Sequence, residues 1–233
     1  MEKTKLFCIP YSGGMAGVYY KWKKELGSQY DLCPLETAGH GRRIKEAFYT
    51  DVAAAAEDLS QIIMENIGPE TPYAIYGHSL GSLLAFETYF ALKEKGAPEP
   101  KHIFFSGREA PDDQDEKTEY YKLPEKEFLA MVDVYGGNTN SVLSDKELLN
   151  VFVPILRSDF RLSETYEYVP HSSKIKCDFT VVNGTEDFSA LTKDMTRWKA
   201  FAEGKCNFEH IKGNHFFITE NVADTVAMIK RII

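Results

Sequence analysis

The stretch YAIYGHSLGSLLAFE, Tyr73 to Glu87, decides how the rest of the chain is read. Four residues suited to a strand, Tyr73 to Tyr76, run into Gly77-His78-Ser79-Leu80-Gly81 and then into helix formers. A serine on a tight strand-to-helix turn must adopt strained backbone angles, and residues two positions to either side are crowded together. Glycine at 77 and 81 relieves that crowding. The helix that follows points its first amide donors at the turn, so the Leu80 N–H is placed to stabilise a developing oxyanion. The pattern therefore predicts a nucleophile elbow with Ser79 as the attacking group. His78, beside it, is expected to pack rather than act as a base, because the sharp turn points neighbouring side chains apart.

Outward from this turn, strand-like and helix-like segments alternate. Strands are expected at 6–10, 30–36, 73–76, 102–107, 178–184 and 207–211. Helices are expected at 18–26, 51–68, 82–96, 191–204 and 220–233, with Gly27 stopping the first. This alternation predicts an α/β protein with a mostly parallel sheet covered on both faces. The rhythm breaks between about 108 and 170. There, REAPDDQDEKTEYYKLPEKE reads as an exposed connection, followed by two helical segments. The second opens on a Ser144-x-x-Glu147 capping box, and Pro154 is expected to kink or divide it. With no strand between them, these helices read as an insertion over the sheet within a single domain spanning 1–233.

Composition excludes several functions. The 233 residues are 43% hydrophobic and 27% charged, as in an ordinary globular protein. A net charge of −8 argues against nonspecific nucleic-acid binding. No apolar run reaches the roughly 18 residues needed to span a bilayer. Cys8, Cys33, Cys177 and Cys206 lie far apart and form no CxxC pair, and Cys8, Cys33 and Cys177, in or beside apolar runs, are expected to be buried reduced thiols. The opening Met1-Glu-Lys-Thr-Lys enters a strand directly, so no signal peptide is expected. A cytoplasmic monomer without metal or cofactor is the expectation.

A serine hydroxyl is a weak nucleophile and needs a base within reach. Behind such an elbow the chain order is serine, acid, histidine, the last two on loops after late strands. His215 follows Gly213-Asn214 between the last strand and last helix, whereas His210 sits inside a strand and is held to one sheet face. His215 is the expected base. The acid should follow the strand at 178–184, where Glu186 and Asp187 stand together. Asp187 is favoured, since it begins the loop toward the next helix, and its competing reading is a helix N-cap or Asx-turn. Asp194 reads as a solvated helix residue, and Asp159 belongs to the inserted helices. A second oxyanion donor should come from Pro10-Tyr11-Ser12-Gly13-Gly14, as the N–H of Ser12 or Gly13.

The motifs IPYSGGMAGVYYKW, GHGRR, GHSLGSLLAFE, SGREAP, LRSDFRLSETY and GNHFF, in this order, resemble the type II thioesterases of nonribosomal peptide and polyketide synthesis. The resemblance runs from Leu6 to the final helix and implies an α/β-hydrolase fold with Ser79, Asp187 and His215 as the catalytic set. It also implies the Ser12 and Leu80 amides as oxyanion donors. The implied activity is hydrolysis of acyl groups from the phosphopantetheine arm of an acyl- or peptidyl-carrier protein, clearing misprimed synthetases. A general carboxylesterase or an acyltransferase on the same triad is the alternative. The inserted helices would form a lid, with Phe128, Met131, Val132, Leu149, Phe152, Ile155 and Leu156 toward the acyl channel. Of these, Phe152 and Leu156 are the named substrate contacts. Arg42, Arg43 and Arg108 are candidates for docking the carrier. One departure is Ala38, where the family usually has proline before Gly-x-Gly, a change expected to loosen that loop.

Overall fold

The computed structural model describes residues 2–113, 118–134 and 146–233. The sheet is built from β1 (Thr4–Ile9), β2 (Tyr30–Pro34), β3 (Tyr73–His78), β4 (His102–Ser106), β5 (Phe179–Gly184) and β6 (Cys206–Ile211). The strands lie in the order β2-β1-β3-β4-β5-β6, and every neighbouring pair is parallel. From β1 the chain steps to β2 on one side and then returns to β3 on the other. Such a reversal opens a crevice at the carboxyl ends of the strands, where α/β folds bind ligands. The loops after β1 and β3 flank it.

Strand alternation sorts the core onto two faces. Phe7, Ile9, Ile75, Phe105 and Val181 point to one side, where α2 (Val52–Asn66) and α3 (Leu80–Glu94) cover them. Leu6, Cys8, Tyr76, Phe104 and Val182 point to the other, beneath α1 (Trp22–Leu26) and the C-terminal helix Val222–Ile232. Because both faces are buried, these strands are nearly continuous apolar runs, as parallel strands must be.

Between β4 and β5 lie α4 (Glu125–Val134) and α5 (Lys146–Thr165). They share a small apolar cluster of their own around Phe128, Val132 and Leu156. Pro154 does not divide α5, which runs unbroken through it. The carbonyl that loses its partner belongs to Asn150, which is exposed and open to water. The capping box at Ser144 falls outside the described residues.

The connection after β4 is less exposed than its polar composition implied. Ala110 and Pro111 are buried, and the Trp198 indole N–H donates to the Arg108 carbonyl at 3.1 Å. Two expected helices also differ. The first is split into a 3₁₀ turn at Ala16–Tyr19 and α1, with Gly27 (φ 78°) ending it. The segment 191–204 is instead a short α6 (Phe188–Leu191) and a 3₁₀ helix at Met195–Phe201. In a 3₁₀ helix residues three apart eclipse. That geometry sends both Trp198 and Phe201 into the core, where Trp198 stacks on Phe105 with ring centres 4.3 Å apart. After β6 come α7 (Phe217–Glu220) and α8 (Val222–Ile232).

Candidate active site

Among the described residues Ser79 is the one non-glycine with positive φ (φ 55°, ψ −117°). The strain is imposed by the turn, and the flanking glycines are steric necessities. A Cβ on Gly77 would lie 2.1 Å from the Gly81 carbonyl oxygen, and one on Gly81 would lie 2.2 Å from that of Ile9. Ser79 occupies the N-cap position of α3, yet its side chain makes no capping bond, which leaves the hydroxyl for chemistry. Its N–H donates to the Ser106 carbonyl at 2.7 Å, fastening the elbow to β4. The Ser82 hydroxyl adds contacts to the Gly77 and Ser106 carbonyls at 2.9 and 2.7 Å.

His215 sits in the loop after β6, and its Nδ1 meets Asp187 Oδ2 at 2.9 Å. Burial alone would raise the Asp187 carboxyl. The hydrogen bond and charge of His215, with the Ser189 hydroxyl, overcome that and hold it below the ordinary aspartate range. The competing N-cap reading of Asp187 is also realised. Its Oδ1 accepts from the Ser189 N–H at 3.1 Å and hydroxyl at 2.6 Å, while Oδ2 faces His215. One carboxylate caps α6 and orients the imidazole together. With Nδ1 engaged by Asp187, Nε2 is the nitrogen through which this imidazole would act on a serine hydroxyl. Glu186 and His210 are exposed, and Asp194 caps the 3₁₀ helix through Thr196.

In the loop after β1 the ambiguity between Ser12 and Gly13 narrows. The Gly13 N–H donates to Asp159 Oδ2 at 2.7 Å, so it is committed to α5. No acceptor is found for the Ser12 N–H among the described residues. Asp159 was legible only as part of the insertion, but it ties two loops together. The same Oδ2 lies 3.0 Å from His40 Nε2, while His40 Nδ1 meets the Ala38 carbonyl at 3.0 Å. Burial would lower the His40 pKa, but the Asp159 hydrogen bond and charge, the Ala38 carbonyl and Glu36 raise it overall. The loop around Ala38 gains a tie that proline could not make. The Ala38 N–H, which proline would lack, donates to Tyr49 Oη at 3.1 Å.

A cavity of about 840 Å³ opens beside His215 and Asp187. Its walls include Leu83, Arg108, Met131, Phe160, Tyr166 and Phe188. Met131 is the one member of the expected apolar lid set that lines it. Phe152 and Leu156 lie instead over Gly13, where an added Cβ would come within 2.7 Å of Leu156 and 3.4 Å of Phe152. Of the three arginines, Arg43 is locked to Asp58 and Glu46 and to the Glu36 carbonyl. Arg108 faces the cavity with its guanidinium 2.9 Å from Ser163 Oγ, and Arg42 is exposed.

A parallel sheet carrying a strained serine at the head of a central helix, with an Asp–His pair delivered by later loops, defines an α/β-hydrolase. Comparison with known proteins narrows the class. The chain belongs to the thioesterase domain family, whose model matches residues 4–233. It is a hydrolase of thioesters. A Brevibacillus parabrevis relative, linear gramicidin dehydrogenase LgrE, is 30% identical over 228 residues, covering 97% of this chain and 86% of that protein. The dehydrogenase of that name stays with that protein; this chain carries G-x-S-x-G where a dinucleotide fingerprint has G-x-G-x-x-G. Among solved structures, ClbQ from the colibactin NRPS/PKS pathway superposes with a TM-score of 0.93 at 31% identity. That match covers 99% of this chain and 97% of ClbQ. RedJ, a thioesterase from the prodiginine pathway of Streptomyces coelicolor, gives 0.90 at 27%, covering 100% of this chain and 86% of RedJ.

Proposed function

We propose that this chain is an editing thioesterase that clears acyl groups from the phosphopantetheine arm of carrier proteins, with Ser79, His215 and Asp187 as its catalytic residues. The observation that carries the reading is the strained Ser79 between two obligatory glycines, combined with the 2.9 Å His215–Asp187 contact. In the first half-reaction His215 Nε2 takes the Ser79 proton as Oγ attacks the thioester carbonyl. The Leu80 and Ser12 N–H groups receive the oxyanion, and collapse expels the thiolate, which takes the proton from the His215 imidazolium and leaves the ring neutral for the second half-reaction. Thiolate is a good leaving group and needs little protonation. In the second half-reaction His215 deprotonates water, which attacks the acyl-serine and releases a carboxylic acid, restoring Ser79. Asp187 stays ionised throughout and stabilises the imidazolium.

The helices α4 and α5 are read as a lid over this site, with Met131 and Phe160 meeting the acyl group. The described residues include no helix long and apolar enough to cross a membrane. Four unpaired cysteines suit a reducing cytoplasm, where carrier-borne thioesters are handled. The deciding experiment measures kcat/KM on acyl-carrier thioesters, acyl-CoA and simple esters. Preference for the carrier-bound thioester by an order of magnitude or more is expected. Equal rates on simple esters would make the chain a general carboxylesterase, and transfer of the acyl group to a nucleophile other than water would make it an acyltransferase.

A further inference from the structure

We propose that His78, the residue before the nucleophile, is a positioning residue that fixes the backbone of the base His215 to the elbow. The inference rests on the assignment of Ser79 and His215 above.

His78 is fully buried at the end of β3, and both ring nitrogens are engaged. Nε2 lies 2.8 Å from the His215 carbonyl oxygen, across 137 residues of chain, and Nδ1 lies 2.8 Å from Ser106 Oγ. Ser106 Oγ is in turn 2.8 Å from the Tyr76 hydroxyl. The proton order follows from what each atom can do. A carbonyl only accepts, so Nε2 carries the hydrogen and donates to His215. In a neutral ring Nδ1 is then the acceptor and takes the Ser106 hydroxyl proton, leaving Ser106 Oγ to accept from Tyr76. The relay therefore runs Tyr76 to Ser106 to His78 to the His215 carbonyl, with every partner satisfied. Neutrality is enforced separately, since burial and then the neighbouring His215 push the His78 pKa down to about 3.

Packing holds the ring as firmly as the hydrogen bonds do. His78 and Ser106 are paired across β3 and β4. Phe217 meets the ring edge to face at 5.4 Å, and the His215 ring lies 5.0 Å away. Gly107 completes the seat, because a Cβ there would lie 2.7 Å from His78 Cε1 and 3.3 Å from His215 Cε1. Asp187 orients the His215 imidazole, but an imidazole can be no better placed than its backbone, which here lies in a loop. Through His78 that loop is hydrogen-bonded to the residue covalently joined to Ser79. Nucleophile and base thus share one frame. A displacement of about 1 Å between reacting groups can cost on the order of 10²-fold in rate.

The test replaces His78 with phenylalanine, which keeps a ring but removes both bonds, and with glutamine, whose amide can again donate to the His215 carbonyl. Steady-state kinetics on the acyl-carrier thioester and on a free pantetheine thioester would be normalised to enzyme active in Ser79 labelling by a fluorophosphonate. For His78→Phe we expect kcat to fall roughly 10- to 100-fold on both substrates with KM little changed. His78→Gln should recover most of that loss. A merely structural histidine would lower the melting temperature in both variants alike without moving kcat per labelled site, and that result overturns the proposal. So would a loss confined to KM, or a glutamine variant no better than phenylalanine. If His78→Phe does not fold, Ser106→Ala serves in its place. It frees the far side of the ring and should lower kcat in the same pattern, and an unchanged kcat would overturn the inference. Ser79→Ala run in parallel separates the two levels: retained turnover there removes the catalytic assignment itself, whereas lost turnover beside an unaffected His78→Phe removes only this inference.

Discussion

Ser79 and Asp187 each satisfy two demands with one residue. Ser79 begins α3 without spending its hydroxyl on the cap, and Asp187 uses one oxygen to begin α6 and the other to hold His215. Ser79→Ala is therefore expected to abolish turnover while the melting temperature stays near that of the parent. His215→Ala should lose a similar amount, because members of such a set act as a unit and their losses do not add. Asp187→Asn should lose less than either, though still by roughly 10⁴ on the protease template. Burst and steady-state kinetics on one thioester would rank the three. A near-normal Asp187→Asn would shift the acid to Glu186, and activity surviving in His215→Ala but lost in His210→Ala would shift the base. These residues were legible because their constraints are local: glycines two positions away and loops after strands can be seen in a few consecutive letters. His78 and Asp159 were not, because their partners lie 137, 119 and 146 residues away and nothing in the neighbouring sequence marks them.

At the scale of elements, α5 sets one face against the loop after β1. Phe152, Leu156 and Asp159 fall on successive turns and all meet Gly13, two by packing and one by hydrogen bond. Removing Asp159 would leave a buried His40 and the Gly13 N–H without their acceptor. Breaking a buried charged pair on one side typically costs about 3–5 kcal/mol, so Asp159→Ala should melt well below the parent. The pairing also has a pH signature. Asp159 from α5 and Glu36 from the loop after β2 face His40 and raise its folded pKa above the unfolded value, about 6.5. The stabilisation is therefore complete below that value and disappears as pH rises through the folded one. His40→Gln should show its largest deficit in melting temperature on the acid side, narrowing at alkaline pH, and a constant deficit would mean that the imidazole is not charged in the fold. Leu156→Ala belongs with stability too, at about 2–5 kcal/mol for a buried leucine. Acyl-chain preference should instead move with Met131→Ala or Phe160→Ala, which widen the cavity. A competition assay across acyl lengths checks this, and an unchanged preference would take the acyl group out of this cavity. The apolar stripe of α5 was visible in the sequence, but which of its residues meet substrate and which meet Gly13 depends on how the helix lies, a tertiary fact.

At the scale of the whole molecule, the chain carries a net charge of −8, so it offers little long-range attraction to any partner that is itself acidic. Docking must then rest on local contact at the cavity mouth. The basic patch read from the sequence is largely absent: Arg43 braces Asp58 and Glu46, and Arg108 is turned into the cavity. Among the polar residues around the cavity, two large apolar side chains stand out. Phe188 lines the cavity yet remains 74% exposed, and Leu191, at the other end of the same short helix, is 65% exposed. Two large apolar side chains held in solvent beside a site entrance suit the apolar face of a docked partner. The helix starts directly after Asp187, so a carrier seated on it would deliver its flexible arm toward His215. Phe188→Ser combined with Leu191→Ser should therefore raise KM for the carrier-bound thioester several-fold. The kcat and KM on a free pantetheine thioester should stay near parental values, since no catalytic contact is removed. Carrier turnover should also respond weakly to salt between low and moderate ionic strength, because screening acts on exposed charges and leaves apolar contact in place. Arg43→Glu offers the contrast, losing activity on both substrates as the Asp58 and Tyr49 network comes apart. If the Phe188/Leu191 variant turned over carrier thioesters normally while Arg42→Glu raised KM and salt inhibited strongly, the docking surface would be the exposed basic loop at Arg42 and the apolar pair would have no part in it.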